Sequence, residues 1–162
     1  MSQKISVLLV DDEEELVQYL SRRLTARGID VTGRTSGAEA LTAATERDFD
    51  VAVVDLRMPG MSGDEVTEQL LQQDPTLKVI ILTGHASNSS ALEFSARGAF
   101  RYLAKPHDFD ALVKVIQEAS EVRRSQLREQ FEEEMEEILA RRDTSPQELL
   151  TRWRELQQKY GQ

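Results

Sequence analysis

The stretch Asp50-Val51-Ala52-Val53-Val54-Asp55 is four apolar residues with an acid at each end. It reads as a strand covered on both faces. Two other stretches have the same character, Ile5–Val10 and Val79–Leu82, the latter inside a strand spanning Leu77–Thr83. All three are expected at the centre of a parallel sheet. Between them the periodicity changes. Glu13–Arg27 places Leu16, Val17, Leu20 and Leu24 at helical spacing, with Gly28 as a natural C-cap. Ile29–Thr35 is rich in β-branched residues and reads as a strand. Ser36 caps a helix through Arg47, with Ala38, Leu41 and Ala44 on one side. Gly63–Gln73 is a helix carrying Val66, Leu70 and Leu71, ended by Asp74-Pro75. Ser89–Arg97 is a further helix closed by Gly98, Ala99–Leu103 a short last strand, and Asp108 caps the next helix. Five strand–helix pairs with short connections predict an α/β sandwich around a parallel sheet. In such a sheet, ligands sit beyond the carboxyl ends of the strands, near the switch in strand order.

Composition limits the alternatives. The chain has 162 residues, 40% of them apolar but only 6% aromatic, so its core is aliphatic. It has no cysteine, which excludes disulfides and thiolate-bound metal. No apolar run approaches the roughly 20 residues of a membrane helix or the length a signal peptide needs. The expected location is cytoplasmic. Net charge is −9. Residues 1–122 hold 12 Lys+Arg against 20 Asp+Glu, and residues 123–162 hold 8 against 9. Neither part has the basic footprint of a nucleic-acid binder, so no nucleic-acid partner and no membrane partner are expected.

Past Val122 the alternation stops. The helix begun at Asp108 can run on to about Ala140, about 50 Å at the helical rise. Ser145-Pro146-Gln147-Glu148 is a strong second start, with an N-cap serine, proline at the first helical position and a capping-box glutamate. Leu149, Leu150, Trp153, Leu156 and Tyr160 then form one stripe. The spacing supports a long coiled coil only weakly. A hairpin packing Leu149, Trp153, Leu156 and Tyr160 on Phe131 and Ile138 is equally consistent. The expected domains are therefore 1–122 and a helical extension, 123–162.

The strand ends carry the chemistry. Asp11 and Asp12 follow the first strand, Asp55 ends the third, Thr83 ends the fourth and Lys105-Pro106 follows the fifth. Taken singly, each has an ordinary reading as helix-start acid, turn residue, strand former or surface charge. Together they converge on one sheet edge, where three carboxylates repel unless a cation joins them. Oxygen donors of this kind suit magnesium. With Lys105 and Thr83 they form a clamp for a phosphoryl group on a carboxylate.

These residues, with the loop Met58-Pro59-Gly60-Met61-Ser62-Gly63, Thr83-Gly84, Tyr102 and Lys105-Pro106, give residues 1 to about 122 a resemblance to the receiver domain of two-component response regulators. The resemblance implies a flavodoxin-like (βα)5 three-layer sandwich and phosphorylation of Asp55 by a histidine kinase or phosphotransfer protein. It implies Mg2+ held by Asp11, Asp12, Asp55 and the backbone carbonyl of Arg57. Lys105 would pair with the phosphoryl group, Thr83 would hydrogen-bond it, and Tyr102 would swing inward. That would alter the surface formed by the fourth helix, fifth strand and fifth helix. Arg57 and His85, two residues past Asp55 and Thr83, are candidates for tuning dephosphorylation, and His107 reads as a solvated turn residue. The Lys105-Pro106 bond is usually cis in this family. Output would pass through the tail, to a second copy or a downstream protein, and the chain would be no enzyme beyond its own phosphorylation and dephosphorylation. An aspartyl phosphatase would want a second acid where Arg57 stands, and no phosphate-binding Gly-Lys-Ser/Thr loop follows any strand. A phosphorylation-independent scaffold stays as the alternative.

Overall fold

The computed structural model describes residues 3–84, 98–105 and 108–161. Five strands, β1 (Ser6–Val10), β2 (Asp30–Arg34), β3 (Val51–Asp55), β4 (Lys78–Thr83) and β5 (Arg101–Ala104), pair in parallel in the order β2-β1-β3-β4-β5. The helices are α1 (Glu14–Ala26), α2 (Gly37–Glu46), α3 (Gly63–Gln73), α4 (Phe109–Ala140) and α5 (Pro146–Tyr160). The expected helix 89–97, with His85, Pro106 and His107, lies outside the described residues. No described helix is long and apolar enough to cross a membrane.

The chain forms two compact units, Met1–Glu121 and Val122–Gln162, with α4 contributing to both. In the first unit, strand alternation sorts the core into two layers. Val7, Leu9, Val51, Val53, Ile80 and Leu82 face α1 and the start of α4, meeting Leu20, Leu24, Leu112 and Ile116. Leu8, Val10, Ala52, Val54, Val79 and Ile81 face α2 and α3, meeting Ala40, Ala43, Val66 and Leu70. β1, β3 and β4 are buried almost throughout because helices cover both their faces; β2 and β5, at the edges, are not. This is the flavodoxin-like arrangement, and it puts the switch in strand order between β1 and β3.

Local signals account for the helix ends. Gly28, at φ +82°, takes the left-handed conformation after α1. The Ser36 and Ser62 hydroxyls accept the Glu39 and Glu65 N–H groups, capping α2 and α3. The Asp108 carboxylate accepts the Asp110 N–H at the start of α4. Two details differ from the sequence reading. α2 buries Gly37, Ala40 and Ala43 and leaves Ala38 exposed, because the cap at Ser36 sets its phase and its smallest residues approach α3. β5 begins at Arg101 rather than at Ala99; the Phe100 N–H already donates to Val79 O, 2.7 Å away, ahead of the ladder.

The second unit is a hairpin. Ser145 and Glu148 form the reciprocal capping box, and α5 folds back along α4. The Tyr160 ring meets Phe131 edge-on with centroids 6.2 Å apart, its hydroxyl donates to Glu134, and Lys159 pairs with the same carboxylate. Leu156 and Tyr160 are buried and Leu149 half-buried, but Leu150 and Trp153 are largely exposed. Two facing helices cover a narrower arc than the five-residue stripe spans.

Candidate functional site

The parallel register brings the predicted residues to one edge. Val10 lies beside Val54, Asp55 beside Leu82 and Thr83 beside Ala104. Asp11, Asp12, Asp55, Thr83 and Lys105 therefore all stand at or just past carboxyl ends. The Lys105 N–H donates to Thr83 O at 2.7 Å, tying that residue to the end of β4. Asp11 is held by its own N–H on Arg34 O and by the Glu13 N–H on its Oδ1.

At the centre, Lys105 Nζ lies 2.8 Å from Asp11 Oδ2 and 3.2 Å from Asp55 Oδ1. Asp11, Asp55 and Thr83 are buried; Asp12 is exposed. Burial pushes the Asp55 carboxyl above the ordinary carboxylate range. The Asp11 charge adds to this, and Lys105 only partly offsets it. Burial alone would lower the Lys105 pKa, but the Asp11 and Asp55 carboxylates hold it above its usual value.

One oxygen from each of Asp11, Asp12 and Asp55 lies within 4.8 Å of the others. Donors bound at about 2.1 Å around one octahedral cation stand about 3 to 4 Å apart, so a small closing movement would let this set grip a divalent ion. Three carboxylates against one ammonium leave the cluster two negative charges in excess, which a divalent cation would neutralise.

The other predicted residues surround this centre. Arg57 is exposed in the loop between β3 and α3, and Tyr102 is half-buried on β5 against the α2–α3 core layer. His85 lies outside the described residues. Gly63 and Thr67 support the site without having been given a role from sequence. A Cβ on Gly63 would collide with the Asp55 carbonyl and Leu56 Cα. The Gly63 N–H donates to Leu56 O at 2.9 Å, and buried Thr67 Oγ1 donates to Gly63 O at 2.7 Å. The start of α3 thus lies directly on the backbone of Asp55. A glycine as the first residue of a helix, where it is a poor helix former, was the available signal.

The profile of the response regulator receiver domain matches residues 7–117. The DNA-binding transcriptional regulator NtrC of Klebsiella pneumoniae is 40% identical over 111 residues, 68% of this chain and 24% of that protein. The C4-dicarboxylate transport transcriptional regulatory protein DctD of Rhizobium meliloti is 35% identical over 124 residues, 76% of this chain and 27% of that one. The chain thus spans about a quarter of the length of these relatives. Among solved structures, chemotaxis protein CheY4 of Vibrio cholerae superposes with a TM-score of 0.69 at 32% identity, covering 72% of this chain and 99% of that one. The matched residues 7–117 take in all five strands but for Ser6, together with the strand-end cluster, and the chain belongs to the response regulator receiver domain family, with a helical extension at its C-terminal end.

Proposed function

We propose that the chain is a phosphorylation-activated switch that accepts a phosphoryl group on Asp55 from a sensor histidine kinase or phosphotransfer protein in the cytoplasm. One observation carries the reading: a buried carboxylate at the sheet's switch point, bridged to a second by an ammonium, with a third carboxylate in reach. An oxygen of Asp55 attacks phosphorus and the phosphorus–nitrogen bond of phosphohistidine breaks. The imidazole leaves with the electron pair and takes up a proton, and Asp55 becomes an acyl phosphate. Lys105 is placed to pair with the incoming phosphoryl oxygens, offsetting charge that water would otherwise screen. Asp11, Asp12, Asp55 and the Arg57 carbonyl would hold Mg2+, which supplies the remaining charge neutralisation.

Thr83, buried at the end of β4, would hydrogen-bond the phosphoryl group. Because Lys105 is bonded to the Thr83 backbone, movement there reaches β5 and Tyr102. The Arg57 side chain and His85 would set how fast water removes the phosphoryl group. We take the receiver to end near Val122 and the extension 123–162 to carry output by protein–protein contact. No nucleic-acid contact is proposed for these 162 residues, both parts being net acidic. The test is intact mass after incubation with acetyl phosphate and Mg2+, beside Asp55→Asn. The expected result is one added phosphoryl mass in the wild type alone. No addition, with no response to Mg2+, would favour a phosphorylation-independent scaffold.

A further inference from the structure

Five large apolar side chains are exposed among the described residues, and three of them lie towards the turn of the hairpin: Leu139 at 63%, Leu150 at 55% and Trp153 at 41%. Their positions form a pattern. On α5, measured from inward-facing Leu156, Trp153 is rotated by about 60° and Leu150 by about 120° in the same sense. On α4, Leu139 is rotated by about 100° in that sense from half-buried Ile138. In an antiparallel pair, rotations of one sense from the shared seam emerge on the same edge. All three side chains therefore line one edge of the hairpin, near its turn.

The opposite edge carries ion pairs. Lys159 bridges to Glu134 across the hairpin, and Arg152 pairs with Glu155 within α5. Lys159, Arg152 and Glu155 are rotated from the seam in the other sense. Among the described residues no ion pair spans the apolar edge. Its far rims carry Glu136 on α4 and Arg154 on α5, each about 160° from its own seam residue. Neither takes part in an ion pair among the described residues. A strip with an acid along one helix and a base along the other is complementary to itself. A two-fold axis through it sets Glu136 against the partner's Arg154 at both ends.

We infer that this edge is covered by a second copy of the chain, the two hairpins packing Leu139, Leu150 and Trp153 against each other in a four-helix arrangement. This names the partner for the output placed in the tail above, and it rests on that reading.

The test is sedimentation equilibrium of the full chain, before and after treatment with acetyl phosphate and Mg2+, with intact mass read on the same samples. The expected result is a concentration-dependent dimer. Trp153→Glu or Leu150→Lys should raise its dissociation constant tenfold or more, about what loss of a central aromatic or aliphatic anchor removes, with unchanged circular dichroism. Glu136→Arg and Arg154→Glu should each weaken it, and the two together should restore it. A monomer in both states at every concentration overturns the inference. So does a dimer indifferent to these four substitutions, or one that the paired reversal fails to restore. A sample that gains the phosphoryl mass but stays monomeric refutes this surface alone; a sample that gains no mass refutes the phosphoacceptor reading instead.

Discussion

Replacing Lys105 with methionine removes the ammonium and keeps most of the stem. In the wild type that ammonium stands 2.8 Å from Asp11 and 3.2 Å from Asp55, whose side chains are only 3% and 10% exposed. One carboxylate oxygen of each acid lies within 4.8 Å of one of the other. At an effective dielectric of about 20, their mutual repulsion is then at least about 3.5 kcal/mol, against attractions to Lys105 of about 5 to 6 kcal/mol each. Desolvation of the ammonium takes back much of that attraction, so the pair is not stabilising by the full sum. Its removal leaves the repulsion unopposed, and we expect a loss of about 3 kcal/mol at about pH 8, without metal.

The pH dependence gives the sign. Asp55 titrates above the ordinary carboxylate range through burial and then Asp11, with Lys105 pulling it down; without Lys105 it moves higher still. A carboxyl raised in the folded state contributes stability that is fully present below its unfolded pKa and is lost as pH rises through its folded pKa. Lys105 is raised as well, so its own contribution is constant until alkaline pH and adds no slope near neutrality. The deficit of Lys105→Met should therefore shrink as pH falls from the alkaline side towards the ordinary carboxylate range and Asp55 takes up a proton. Urea unfolding in EDTA, followed by far-ultraviolet circular dichroism at several pH values, measures it. A deficit that is the same at every pH, or a variant as stable as the wild type at the alkaline end, would refute the electrostatic account.

Two further expectations concern the same edge of the sheet. Mg2+ should raise the melting temperature of the wild type; Asp12→Ala should raise it slightly without metal, the gain in stability staying below about 1 kcal/mol because Asp12 is exposed and screened, and should abolish the Mg2+ response. Equal melting of the wild type with and without Mg2+ would count against the metal site. Gly63→Ala forces a methyl group onto the Asp55 backbone, so we expect about 1–3 kcal/mol of destabilisation from overpacking and slower phosphoryl uptake at saturating acetyl phosphate. Uptake at the wild-type rate in a destabilised variant would show that α3 supports the fold without positioning Asp55.

The sheet was legible because its signals are local and redundant. Apolar runs such as Val51–Val54, caps such as Ser36 and Ser145, and the glycine after α1 each specify an element with little help from neighbours. Asp11, Asp55, Thr83 and Lys105 were legible as a group because a parallel sheet brings all carboxyl ends to one edge. On α2, Leu41 and Ala44 do pack against the core, but Ala38 was misplaced there because apolar spacing alone cannot rank it below Ala40 and Ala43; the choice depends on how closely α3 approaches. The exposure of Leu150 and Trp153 was hidden for a related reason. A stripe records which residues prefer burial, whereas the width of the partner helix decides how many obtain it. The support given by Gly63 and Thr67 depends on a backbone-to-backbone approach that leaves no periodic trace.

The helix Phe109–Ala140 serves both compact units without interruption. Starting a helix is its most unfavourable step, with a nucleation factor of about 10⁻³, equivalent to about 4 kcal/mol; each added residue then costs little. Leu112, Val113 and Ile116 pack into the sheet, so a helix started there needs only to be propagated through the residues beyond Val122. The extension is thereby templated by the folded receiver. Severed from it, residues 122–162 would have to found their own first turn in an acidic segment, and the helicity of that peptide should fall well below what it shows in the intact chain. The receiver hands its extension a helix already begun.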